Sequence, residues 1–185
     1  MPDFNLILRP LKKLGDVIKI VILEKIYPRD VPDRCKSIAT VMNNADEQES
    51  ISEESILALS QKLEIYLPNI SDNLDIPSHI TEDLLQKGLP CRHLMPHVKN
   101  CCGMKCKIIL NNQVVVYEKN NILKGSAYKS VCKNKKCKSE YLLSTWKRKG
   151  GEWSYYDDCS KHEYFQSTRC SVFQREFLET IDRNM

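Results

Sequence analysis

The chain lacks any apolar run approaching the roughly 20 residues that cross a bilayer. The stretch Val17–Leu23 is apolar but short, and it carries Lys19. The first residues lack the order of a signal peptide, which is a basic segment, an apolar core and a small-residue cleavage site. There is no internal repeat and no low-complexity tract. These absences predict an intracellular chain that keeps its thiols reduced and contacts no membrane. Two catalytic classes are also disfavoured. The main cysteine pairs do not have the two-residue spacer of a thiol oxidoreductase, and the acidic residues show no two-metal arrangement. His162 beside Cys159 could imitate a nucleophile–base pair, but nearness in sequence does not establish that geometry. The reading is therefore a non-enzyme.

What is present is cysteine. The 185 residues include 9, an odd number that argues against a complete disulfide framework. Cys102 and Cys106 bracket Gly-Met-Lys, and Cys132 and Cys137 bracket Lys-Asn-Lys-Lys. Two close pairs on either side of strand-like sequence are the pattern of a four-thiolate zinc site. Each pair can form a turn that aims two sulfurs at one point, and Gly103 lets the first turn sharply. The expected ligands are Cys102, Cys106, Cys132 and Cys137, the expected cofactor is Zn²⁺, and Cys101 is an alternative to Cys102. Cys91, His93 and His97 form a second group upstream, and Cys159 and His162 a third. Either group could contribute to a second site, or be ordinary packing and surface residues. Cys35 and Cys170 lie in helical contexts and read as packing residues.

Charge is divided along the chain. Residues 1–90 hold 10 Lys/Arg against 15 Asp/Glu, and residues 91–185 hold 18 against 9. The basic half is also the half with the paired cysteines, which predicts a polyanionic partner. Lys133, Lys135, Lys136 and Lys138 would crown the second cysteine turn, and Lys147, Arg148 and Lys149 the hairpin after it. Cations on short turns can contact phosphates without reading sequence. Trp146, Trp153, Tyr155 and Tyr156 could stack on bases, although filling a thin β core is the favoured role for them.

The expected fold is α+β, with an acidic helical region (1–90) followed by a basic zinc-binding domain (91–185). Apolar residues at three- and four-residue steps predict a helix over 4–27, bounded by Pro28 and Pro32. Further helices are expected at Glu53–Tyr66, after a Ser52 start signal, and at Ser78–Lys87, closed by Gly88. Then come strands at Lys107–Leu110 and Val114–Tyr117 around an Asn111-Asn112 turn, and another at Ala127–Val131. Tyr141–Trp146 and Trp153–Tyr156 would flank a Gly150-Gly151 turn, and Ser171–Arg183 would be a final helix. The β part would be a small zinc-ribbon-like antiparallel unit.

The order of these elements resembles the cysteine-cluster domains associated with KDZ-type transposases. The matching run covers about 80 residues. It takes in the first cysteine pair, the Val114–Tyr117 strand, Ala127-Tyr128-Lys129-Ser130-Val131-Cys132, and the second pair with Glu140-Tyr141. Trp153-Ser154-Tyr155-Tyr156, Glu163-Tyr164-Phe165-Gln166-Ser167 and the helix around Phe173 follow. The second cysteine spacer is longer here than the usual two residues. The resemblance implies a zinc-chelating accessory domain that works beside a catalytic core; nucleic acid, DNA in particular, is the expected partner and the nucleus the expected location. The flanking sequence is too short for such a core, so no strand-transfer activity is expected. The alternative is a zinc-dependent protein-interaction adaptor, in which the N-terminal helices receive a protein partner.

Overall fold

The computed structural model describes residues 14–43, 51–66, 78–87, 89–157 and 162–183. The fold is α+β, and it divides into two units, Met1–Pro77 and Ser78–Met185. The division falls ahead of the change of sequence character at Pro90. Helix Ser78–Gln86 therefore belongs with the β-rich unit, where the Cys91 thiol lies 3.7 Å from the Thr81 carbonyl.

The first unit contains α1 (Leu14–Ile26), α2 (Arg34–Asn43) and α3 (Glu53–Tyr66). Residues 1–13, which include the expected first helix from 4 to 13, lie outside the described residues, as do most of the polar loop and Gly88. Ile20, Val21, Ile22 and Leu23 of α1 are all buried, with Ile38, Val41, Ile56 and Leu59. Ser52 caps α3 through its Oγ, which accepts the Ser55 backbone N–H at 3.2 Å. This supplies a partner to one of the N–H groups that a helix start leaves open. Helix α2 was not anticipated, although it places Cys35 in a helix as expected.

The second unit opens with α4 (Ser78–Gln86) and continues through β1 (Arg92–Leu94), the small hairpin β2 (Asn100–Cys101) and β3 (Met104–Lys105), and the long strands β4 (Lys107–Tyr117) and β5 (Ile122–Val131). Short strands follow: β6 (Glu140–Tyr141), β7 (Thr145–Lys147), β8 (Ser154–Tyr155), β9 (Tyr164–Gln166) and β10 (Ser171–Gln174), then α5 (Arg175–Arg183). The main sheet runs β8-β7-β6-β5-β4-β10-β9, with β1 also on β5. Pairing is antiparallel except for β1 with β5 and β10 with β4. Gly125 lets β1 and β4 crowd the centre of β5, since a Cβ there would lie 2.7 Å from Val116 Cγ2 and 3.2 Å from the Arg92 carbonyl.

Three expectations need correction. The Asn111-Asn112 turn is absent: Lys107–Tyr117 is one strand, with an irregularity between Leu110 and Asn112. An extra residue in one strand bends it without ending it, and the Asn112 amide donates sideways to the Arg169 carbonyl at 3.1 Å. Tyr141–Trp146 is two strands, because the chain reverses between them and the Leu142 N–H meets the Thr145 carbonyl at 2.8 Å. Ser171–Arg183 begins as a strand. Val172 is fully buried where β10 pairs with both β4 and β9, so sheet pairing overrides the helical spacing of Val172 and Phe173. Cys170 consequently precedes a strand and is exposed.

Candidate metal centre

Two turns carry the candidate ligands. The β2–β3 hairpin is closed by Cys102 and Gly103, both at positive φ (52° and 72°). Consecutive positive values are the signature of the tight hairpin turn whose twist matches its strands. Cys101 ends β2, and Cys102 is the first turn residue. The left-handed backbone at Cys102 breaks the strand alternation that would send adjacent side chains to opposite faces.

The second turn follows β5 directly. Cys132 continues the β5–β6 ladder, with its N–H donating to the Ser139 carbonyl at 2.9 Å. Within that loop the Asn134 carbonyl accepts from Cys137 (3.1 Å) and Lys138 (2.9 Å), and the Asn134 side chain accepts from the Lys136 N–H (2.9 Å). Lys138, at φ 45°, turns the chain back into β6.

These turns meet. The sulfurs of Cys101, Cys102, Cys132 and Cys137 all lie within 4.8 Å of one another, close enough to hold a metal ion. Cys101 Sγ is 3.8 Å from Cys102 Sγ and 3.7 Å from Cys137 Sγ. Four thiolates about 2.3 Å from a central ion at tetrahedral angles would stand about 3.8 Å apart. A disulfide, at about 2.05 Å, is a different geometry, and all four cysteines are free.

The sulfurs perturb one another's ionisation. Hydrogen bonds from the Ser139 side chain and backbone pull the Cys137 thiol down to about 6. Its Sγ is 3.1 Å from Ser139 Oγ. Interaction with Cys137 and then Cys101 pushes the Cys102 thiol up to about 12. The Asn134 backbone favours the Cys132 thiolate, but burial and the neighbouring sulfurs outweigh it, and that thiol is raised. Once one thiolate forms, its neighbours resist ionising, and a divalent ion reverses that resistance. Tyr141 reaches across from β6 to donate its hydroxyl to Cys101 Sγ at 3.1 Å. Its own ionisation is pushed up to about 12, by burial first and then by that bond.

The arrangement differs from the expected quartet at one position. Cys102, Cys132 and Cys137 come together, but the fourth sulfur is that of Cys101. Cys106 stands between β3 and β4, only 4% exposed, and is outside the group. Burial raises its pKa, as do the nearby Cys101, Cys132 and Cys137 sulfurs. Its N–H donates to the Lys99 carbonyl at 2.8 Å, fixing its backbone beside β2. The Cys101-Cys102 doublet was visible in the sequence. In sequence the two read as alternatives; the positive φ at Cys102 lets both reach the group.

Among the described residues, the other candidate ligands do not gather with this group. Cys91 is buried against α4, and His93 Nδ1 lies 2.9 Å from Tyr128 Oη. Burial brings His93 down to about 4. His97 stacks on His162 with ring centroids 3.7 Å apart. Cys159 lies outside the described residues. Among the described residues, no second group of three or more His, Cys, Asp or Glu side chains collects at metal-binding distance.

The expected cations do not all share one face. Lys133, Lys135, Lys136, Lys138, Arg148 and Lys149 are exposed. Lys136, Arg148 and Lys149 border an open groove beside Cys101, Cys102 and Cys137. Lys147 points elsewhere, 4.6 Å above the Trp153 ring and 3.8 Å from Glu140. Nor are all the aromatics core residues: Trp153 is 45% and Tyr155 62% exposed.

The chain matches no protein family, and no curated protein or solved structure is similar to it.

Proposed function

We propose that the Ser78–Met185 unit is a zinc-stabilised nucleic-acid-binding module, in which the metal is structural and the surrounding cations contact phosphates. The observation that carries this reading is the four-sulfur group, all within 4.8 Å of one another, bordered by Lys136, Arg148 and Lys149. Thiolate-only sites select soft or borderline ions, and a set of four thiolates suits tetrahedral zinc. Such a centre carries two net negative charges, which the adjacent lysines and arginine offset. Four protein ligands leave no open position for a substrate, so the reading is a binding module and not a metalloenzyme.

The β2–β3 hairpin pairs with no strand of the main sheet among the described residues. Metal would tie it to the β5–β6 turn and hold the lysine-bearing loops in place. Six exposed cations set the scale of the interaction. If all of them contact phosphates of duplex DNA, log K should fall with log salt at a slope of about −5.

The test is metal content by native mass spectrometry, together with DNA affinity measured across a salt series. One zinc per chain and a steep slope support the reading. Reversing Lys135, Lys136, Arg148 and Lys149 to Glu should abolish binding while leaving the zinc in place. Salt-independent affinity, or metal-free protein after expression with zinc, would sink the proposal.

A further inference from the structure

A second groove, about 500 Å³ in volume, lies on the opposite face of the β6–β7 hairpin from the cysteines. Strand alternation separates the two faces. Glu140, Thr145 and Lys147 line this groove, while Tyr141 and Trp146, next to them in sequence, line the other. Its volume falls in the range of small-ligand sites.

The lining combines two kinds of group. One is aromatic. Tyr155 is 62% exposed, and its ring is backed by Phe165 at a 6.2 Å centroid distance and a 13° interplanar angle. A ring supported on one side and open to solvent is a platform for another flat group. The other kind is cationic. Lys129 and Lys147 flank the single carboxylate of Glu140, at 2.9 and 3.8 Å, and the exposed Arg169 adds a further positive charge. The groove is therefore net positive, and Asn111 and Gln166 add amide groups to its wall.

A flat π-face joined to a negative charge, with edges that form hydrogen bonds, is the chemistry of a nucleotide. Duplexes hide their base faces within the stack, so an aromatic platform can be used only by an unpaired base. We infer that this groove takes an unpaired nucleotide of a single-stranded nucleic acid, with the base on Tyr155 and the phosphate against Arg169 and Lys147. The inference rests on the nucleic-acid reading above and narrows it from polyanions in general to single strands. It also divides the labour between the two faces: the cations beside the metal hold the backbone, and this groove selects for unpaired bases. Strand β6 joins the faces, since it starts three residues after Cys137.

The experiment is fluorescence anisotropy of the full chain with a labelled thymidine oligonucleotide, single-stranded or annealed to its complement. The wild type should bind the single strand more tightly. Tyr155→Ala should weaken single-strand binding by at least about fivefold, the lower end of what base stacking contributes, and leave duplex binding and metal content unchanged. Tyr155→Phe should keep wild-type affinity, because it preserves the ring. Arg169→Glu should also weaken the single strand. If Tyr155→Ala leaves single-strand affinity unchanged while reversal of Lys135 and Lys136 abolishes it, the groove inference falls and the module reading stands. If neither nucleic acid binds at low salt, both fall.

Discussion

Replacing Cys101 and Cys106 separately by Ser distinguishes the folded arrangement from the spacing pattern. Cys101 Sγ sits 3.8 and 3.7 Å from two other candidate ligands, and it accepts a hydrogen bond from Tyr141. Structural zinc in small domains binds with roughly 10–16 kcal/mol of apparent free energy at neutral pH, so one of four equivalent thiolates carries on the order of 2.5–4 kcal/mol. Cys101→Ser should therefore raise the metal dissociation constant by about 10²- to 10³-fold. Cys106→Ser removes a buried thiol outside the group. A buried hydroxyl in its place costs about 1–3 kcal/mol of stability, but all four sulfurs remain. The assay is competition against a chromophoric chelator, with native mass spectrometry for stoichiometry and urea unfolding for stability. The two variants should separate: Cys101→Ser loses metal affinity, whereas Cys106→Ser loses stability and keeps one metal per chain. The reverse pattern, with Cys106→Ser releasing the metal and Cys101→Ser retaining it, would falsify the assignment and restore the spacing-based quartet.

Two further outcomes follow from the packing of the β-rich unit. Gly125→Ala places a methyl group 2.7 Å from Val116 Cγ2 and 3.2 Å from the Arg92 carbonyl, within strands pinned on both sides. Overpacking of this kind costs about 1–3 kcal/mol, and thermal unfolding that shows Gly125→Ala as stable as wild type would refute the crowding argument. His93 is held neutral by burial, with its pKa brought from 6.5 down to about 4. The unfolded chain therefore binds the proton first as pH falls. The stability from neutral His93 is complete above pH 6.5, declines between 6.5 and 4, and is gone below 4, a total of ~3 kcal/mol. His93→Gln should flatten the loss of urea stability between pH 7 and 4.5, and identical slopes for variant and wild type would exclude His93 as the source.

The sequence by itself determined what local chemistry can set. Ser52 capping and apolar spacing placed α3 at the bounds the structure shows, Glu53–Tyr66. The Cys132/Cys137 turn, with Asn134 inside it, was legible because its hydrogen bonds join residues a few positions apart. The charge division and the exposed lysines of that turn were equally local. Tertiary structure decided whatever depended on a partner distant in sequence. Asn111-Asn112 reads as a turn until β5 pairs along the whole of β4. Val172 and Phe173 read as one face of a helix until β4 and β9 claim them for the sheet. The fourth sulfur is the clearest case. Cys101, Cys102 and Cys106 have equivalent chemistry and neighbouring positions. A left-handed residue at Cys102 and the approach of a loop some 30 residues away bring the first two to the metal-binding group and leave the third beside it. Spacing constrains which sulfurs can reach a common point. Backbone handedness and long-range packing select the ones that do.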